Sequence, residues 1–220
     1  MDCLSTFDAL KRVVGKSTEI SSIKKNEICF KKGETLVKQG VTIKHMMFVK
    51  SGIVKLEFET ETGAVILDVV PADRMICMSG LFGDSVAKYS VIALSDTEIY
   101  DINREVIESL VKSDGNFAAA VVQNLNNNNH HLYDRISSLN QKQMNGRVAD
   151  VILYLANDVY KSDEFPLHLS RRDMGNFSGM AMMSVIRTIQ SLKQDGIIYE
   201  KNGKMSILNR KKLEQLSENG

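Results

Sequence analysis

Residues 169–192, LSRRDMGNFSGMAMMSVIRTIQSL, read as two short helices joined by a tight turn. Ser170 is a suitable cap for the first helix, and Asp173 three residues on suits its positive end. Met174 and Phe177 form the apolar stripe of that helix. Gly179 stands where the chain must turn sharply and a side chain is costly, and Gly175 lets two helices approach closely. The second helix is expected over about 181–193. Val185, Ile189 and Leu192 recur at helical spacing and face inward. Met182, Ser184, Arg187, Thr188 and Ser191 are assigned to the opposite face, which has the shape to enter a DNA major groove. A plain helical hairpin inside another core has the same pattern, so the flanking sequence has to decide.

A short strand follows at 197–200, then Lys201-Asn202-Gly203-Lys204, then a second strand at 205–208. Asn-Gly between two β-rich runs signals a hairpin, because both central residues must accept positive φ. A helix pair followed by a basic hairpin is a winged helix. Lys201 and Lys204 are then placed for phosphates, which set affinity and register rather than base choice. Arg171 and Arg172 open the first helix and suit phosphates or solvent. Arg210, Lys211 and Lys212 add charge at the start of a last helix.

The 220-residue chain is long enough for one large core or two small ones. Its net charge of +1 gives no overall basicity, so affinity for nucleic acid would have to be local. No apolar run approaches membrane-spanning length, and MDCLSTFDAL at the start lacks the features of a secretory signal. A cytoplasmic protein without membrane contact is expected. Cys3, Cys29 and Cys77 are widely spaced and form no zinc or cluster signature; reduced thiols are the default. No phosphate loop, metal spacing or nucleophile–base motif appears, so an enzyme is not expected.

Residues 28–103 read as short strands punctuated by Gly33, Gly40, Gly52 and Gly63, with β-rich runs at 46–52, 53–63, 64–70 and 90–102. Ile53, Lys55, Glu57 and Glu59 alternate with Val54, Leu56 and Phe58. Such spacing suggests a sandwich or barrel. Short helices are expected at 5–14 and 103–111, the latter capped by Asn103. A long helix is expected over 116–141. Ala118, Val121, Leu125, Asn128, Leu132 and Leu139 fall on a heptad seam, with Arg135 the exception. That seam points to a two-chain contact in which Asn128 sets register; packing within one chain is the competing reading. The Asn126–Asn129 run is a poor helix former.

Taken together, FKKGETLVKQG (30–40), FVKSGIVKL (48–56), PADRMICMSGLF (71–82) and SVIRTIQSLKQDGII (184–198) resemble, in order and spacing, the Crp/Fnr family of bacterial transcription regulators. The resemblance implies an α+β chain. A β-roll (double-stranded β-helix) sensor domain would span 1–115, a dimerisation helix 116–142 and a winged helix-turn-helix 143–220. It further implies a homodimer on a pseudo-palindromic operator in double-stranded DNA, RNA polymerase as a partner and a small-molecule effector.

The departures matter. Cyclic-nucleotide-binding members carry Gly-Glu where this chain has Cys77 and Met78, and Arg-Ser where it has Ala87 and Lys88, or, shifted by one residue, the arginine where it has Lys88. Methionine cannot accept ribose hydrogen bonds, and one flexible lysine poorly replaces an arginine fork. Cyclic AMP is therefore not expected as effector. Met75, Cys77, Met78, Leu81, Phe82, Lys88 and Tyr89 mark the corresponding pocket. Iron–sulfur members use an N-terminal cysteine cluster, and Cys3 stands alone there. No cofactor is predicted; haem, for which His45, His130, His131 or His168 would be ligands, defines an alternative reading as a ligand sensor with weak DNA binding. The family's Arg-Glu on the second helix is replaced by Met182 and Met183, which can touch thymine methyls but make no bidentate base contact. Arg187 remains the candidate for guanine.

Overall fold

A computed structural model describes residues 25–219. The helix expected at 5–14, and Cys3, lie outside the described residues. The chain divides into two compact units, Met1–Glu61 with Val69–His130, and Thr62–Asp68 with His131–Gly220.

The first unit is built on two four-stranded antiparallel sheets, less residues 63–68, which fall in the second unit. Strands β1 (Lys25–Phe30), β3 (His45–Ser51), β6 (Met75–Ile76) and β8 (Thr97–Asn103) pair in the order β1-β8-β3-β6. Strands β2 (Thr35–Val37), β4 (Ile53–Thr60), β5 (Gly63–Pro71) and β7 (Ser90–Ala93) pair as β2-β7-β4-β5. Val49 and Ile76 from the first sheet share a buried cluster with Val37, Val54, Val70 and Val91 from the second, so the two sheets face each other as a roll. The run at 90–102 is two strands rather than one. The chain changes sheets at Leu94–Asp96, where Leu94 N–H donates to Ile53 O and Thr97 Oγ1 to Ser95 O.

At β3 the first sheet is covered on both faces, which is why that strand lacks a clean alternation. Met46 and Phe48 point away from the roll interior into a second cluster with Ile102. Ile107 and Leu110 of α1 (Arg104–Ser113) and Phe117, Ala120 and Val121 of α2 (Gly115–Gln141) complete it. Asn103 caps α1 through its side chain, which accepts from Glu105 N–H. Along β4 burial fades toward the hairpin end: Val54 is buried, Leu56 half-buried, and Phe58, expected on the same inward face, is exposed.

The second unit adds α3 (Met144–Tyr154), extended by a π-helical turn at Leu155–Val159, then β9 (Glu164–Pro166), α4 (Arg171–Ser178) and α5 (Met182–Gln194). Strands β10 (Ile198–Lys201) and β11 (Lys204–Ile207) and helix α6 (Arg210–Asn219) follow. Strand order is β10-β11-β9. Neither α3 nor β9 was anticipated from sequence. Val148, Ile152, Phe165, Met174, Phe177, Val185, Ile189, Leu192, Met205 and Leu213 form its buried interior. Among the described residues no helix is long and apolar enough to cross a membrane.

Candidate nucleic-acid interface

Helix α4 starts at a capping box. Asp173 N–H donates to Ser170 Oγ at 3.1 Å, and the Asp173 carboxylate accepts from Ser170 N–H at 3.0 Å and from Ser170 Oγ at 2.6 Å. Orphan donors of the first turn are thereby satisfied. Ser170 is exposed, and its hydroxyl is engaged in the cap as both donor and acceptor. The helix ends at Gly179 with φ of 64°. A Cβ there would lie 2.7 Å from Leu139 Cδ2, and one at Gly175 would lie 2.7 Å from the Met180 carbonyl oxygen. Two glycines thus permit the turn to fold back over the end of α4.

Val185, Ile189 and Leu192 hold α5 against the core. Met182, Met183 and Arg187 are exposed, and Ser184 is half-buried. Thr188, assigned from sequence to the outer face, is 5 % exposed. It lies between Val185 and Leu192 on the helix surface, so 3.6-residue geometry turns it inward.

The wing is a two-residue hairpin with Asn202 at φ 51° and Gly203 at φ 72°, the geometry that matches strand twist. Lys201 and Lys204 face each other across it and are both exposed; Lys204 Nζ stands 4.0 Å from Glu164. Arg172 is exposed. Arg171 is not available as expected: its Nη2 donates to both Glu200 carboxylate oxygens, at 2.6 and 2.5 Å, and ties the start of α4 to strand β10. Arg210 on α6 is likewise engaged, with Asp163, Asn157 and Glu214.

The sequence-derived effector positions do not converge on one cavity. Met75 and Met78 are buried in the cluster shared with α1 and α2, with Leu81 packed beside them. Cys77 (φ 66°) points instead into the roll interior, near half-buried Tyr89. Burial, and secondarily the charge of Asp101, push its thiol up to about 12. Lys88 lies at the surface, paired with Asp84 at 2.5 Å. That hydrogen bond, with a further one from Val86 N–H, holds the Asp84 carboxyl below its ordinary range. Phe82 is exposed, with Lys112 Nζ 5.5 Å from its ring centroid. No residue of this set presents the arginine fork and carboxylate of a cyclic-nucleotide site.

On α2 the exposed apolar row is one residue off the expected seam. Val121 is 3 % exposed and belongs to the core, Asn128 donates to Asn124 at 3.3 Å, and Leu139 packs at Gly179. Leu125 and Leu132 remain exposed, now in line with Val122, Asn129 and Ile136. The helix has two apolar edges, and the sequence pattern alone did not say which one its own core takes. Histidines are placed otherwise: His45 bonds Asp101 at 2.6 Å, His168 bonds the Tyr160 hydroxyl at 2.8 Å, and His131 meets the Tyr154 ring edge-on.

Two family models match the chain. A cyclic nucleotide-binding domain covers residues 27–114, and a Crp-like helix-turn-helix domain covers residues 146–216. Electron transport regulator A of Shewanella oneidensis is 24 % identical over 193 residues, covering 86 % of this chain and 77 % of that protein. The fumarate and nitrate reduction regulatory protein of Escherichia coli K12 is 25 % identical over 199 residues, covering 84 % and 76 %. Among solved structures, FixK2 from Bradyrhizobium japonicum superposes with a TM-score of 0.79 at 21 % identity, over 87 % of this chain and 96 % of that one. A CooA mutant from Carboxydothermus hydrogenoformans does so with a TM-score of 0.77 at 20 % identity, over 94 % and 95 %.

Proposed function

Because the chain belongs to the Crp/Fnr family of transcription regulators, we propose that it acts as a homodimer on a pseudo-palindromic operator in double-stranded DNA, under control of an effector other than cyclic AMP. Residues 1–115 are the sensor, 116–142 the dimerisation helix and 143–220 the DNA-binding domain. The observation that carries this reading is the outer face of α5, where Met182, Met183 and Arg187 are exposed beside a wing bearing Lys201 and Lys204. Arg187 reads a guanine edge; the wing lysines and Arg172 meet phosphates.

The dimer forms along α2 through Val122, Leu125, Asn129, Leu132 and Ile136, a 3–4–3–4 spacing that suits a coiled-coil seam. Effector control runs by population shift. Leu81 and Met78 share a core with Phe117 and Val121 of α2, which gives a change in the roll a packed route to the dimer helix. Buried Cys77 and Met78 and the surface pairing of Lys88 support an effector unlike a cyclic nucleotide. RNA polymerase is the onward partner, and the cytoplasm the compartment.

The test is a mobility shift on genomic fragments at 50 and 200 mM salt, with sedimentation of the free protein. A specific, salt-sensitive shift by a dimer is expected. Arg187→Ala should cost roughly 1–3 kcal/mol and relax sequence preference. A monomer that protects no sequence overturns the proposal.

A further inference from the structure

Burial fixes which side chains of α5 face outward together. Val185, Thr188, Ile189 and Leu192 define its inner side. At 3.6 residues per turn the opposite meridian falls on Met183, Arg187, Gln190 and Gln194, and all four are exposed. Met182 and half-buried Ile186 lie on one shoulder, Ser184 and Ser191 on the other. Gln190 therefore stands on the same line as Arg187, one turn further along, although its spacing in the sequence does not single it out.

We propose that Gln190 is a base-reading residue that selects an adenine, a specificity contact resting on the reading of α5 as the groove-entering helix. The chemistry is complementary. The carboxamide offers an acceptor oxygen and two N–H donors; the adenine edge in the major groove offers the N6 amino donor and the N7 acceptor, so the pair is bidentate. Arg187 meets guanine O6 and N7 by the same logic, and Met183 offers a thymine methyl an apolar contact. Helix α5 carries no Asp or Glu between Met182 and Gln194, so no carboxylate selects the cytosine amino group. From Met183 to Gln190 the helix advances about 10 Å, the height of about three base-pair steps. The half-site is thus a guanine flanked by A·T pairs, the thymine methyl met by the N-terminal end of α5 and the adenine by Gln190.

The experiment is selection of bound sequences from a randomised duplex library by the full-length wild type and by Gln190→Ala, followed by affinity measurement on the selected site. Wild type should enrich a two-fold motif with an adenine next to the guanine. Gln190→Ala should lose that one preference by about 5- to 150-fold, with the guanine preference and the salt slope unchanged. As a second readout, 7-deazaadenine at that position, which lacks the N7 acceptor, should weaken the wild type and leave Gln190→Ala indifferent. Unchanged base preferences in the variant, or an equal loss on every sequence with a shallower salt slope, overturn the assignment while leaving the α5 reading intact. A wild type that enriches no motif overturns both.

Discussion

The guanidinium of Arg135 lies 4.4 Å from the ring centroid of Phe177, and its Nη2 donates to the Phe177 carbonyl at 2.9 Å. Its Nη1 donates to the Leu67 carbonyl. Arg135 is thus a clamp in which α2 holds the first helix of the helix-turn-helix by stacking and hydrogen bonding together. Burial lowers its pKa, opposed by the charge of Asp68, but an arginine keeps its proton through such a shift. The residue that interrupts the heptad pattern in sequence is one that packs within its own unit.

Arg135→Leu should therefore lower the stability of the second unit by about 2–4 kcal/mol, since two carbonyl acceptors lose their donor and the cation–ring contact is lost. Arg135→Lys should recover only part, because an ammonium lacks the planar fork. Urea unfolding followed by far-UV circular dichroism checks both. A leucine variant as stable as wild type would show that the clamp contributes nothing.

The Arg171–Glu200 pair withholds an arginine from any bound phosphate. Glu200→Gln should release it. The salt dependence of operator binding should then steepen by roughly one unit of slope in log–log form, as one more phosphate is neutralised. Folding stability should change by about 1 kcal/mol or less, since the pair is partly solvated. Titrations by fluorescence anisotropy between 50 and 300 mM salt decide it; an unaltered slope means that Arg171 points away from the duplex even when freed.

Much of this was legible in the residues themselves. Ser170 and Asp173, the Gly179 turn and the Asn202–Gly203 hairpin are local devices whose chemistry is specified within four residues. Val121 and Arg171 were misplaced for a different reason: each depends on a partner distant in sequence, whereas Thr188 follows from the period of its own helix, which sets it between Val185 and Leu192. Glu200 claims Arg171 across 29 positions, and the sheet side chains Met46 and Phe48 claim Val121. In α3 and its continuation the buried residues Val148, Val151, Ile152, Leu155, Ala156 and Val159 recur at helical spacing on one face, so that element lay within reach of the sequence pattern, whereas the three-residue strand β9 carries little pattern of its own.

The proposed dimer seam separates two asparagines that adjoin in sequence. Asn129 falls on the exposed row of α2, whereas Asn128 bonds Asn124 on the flank. A polar residue at a seam position fixes register at a cost in association. Asn129→Leu should tighten the dimer by about tenfold or more, while Asn128→Leu leaves it unchanged. Ile136→Asp should yield folded monomers, and Val121→Asp should instead unfold the first unit. Sedimentation equilibrium with circular dichroism distinguishes the two registers; a tighter dimer from Asn128→Leu, or dissociation by a Val121 variant that remains folded, would restore the original one.

Cys77 gives the fold an alkaline weakness. Its thiol is raised from 9.0 to about 12 by burial among the apolar side chains of the roll and, secondarily, by Asp101. Between those two values the unfolded chain loses the proton and the folded chain keeps it. The stability from this group is fully present below pH 9 and declines as pH rises toward 12, by about 1.4 kcal/mol per unit. At pH 10.5 the wild type should have lost about 2 kcal/mol from this source. Cys77→Ala carries a constant deficit from the missing sulfur but no such slope, so its urea midpoint should approach that of the wild type between pH 8 and 10.5. Parallel pH profiles for the two proteins would mean that the thiolate is tolerated inside the roll.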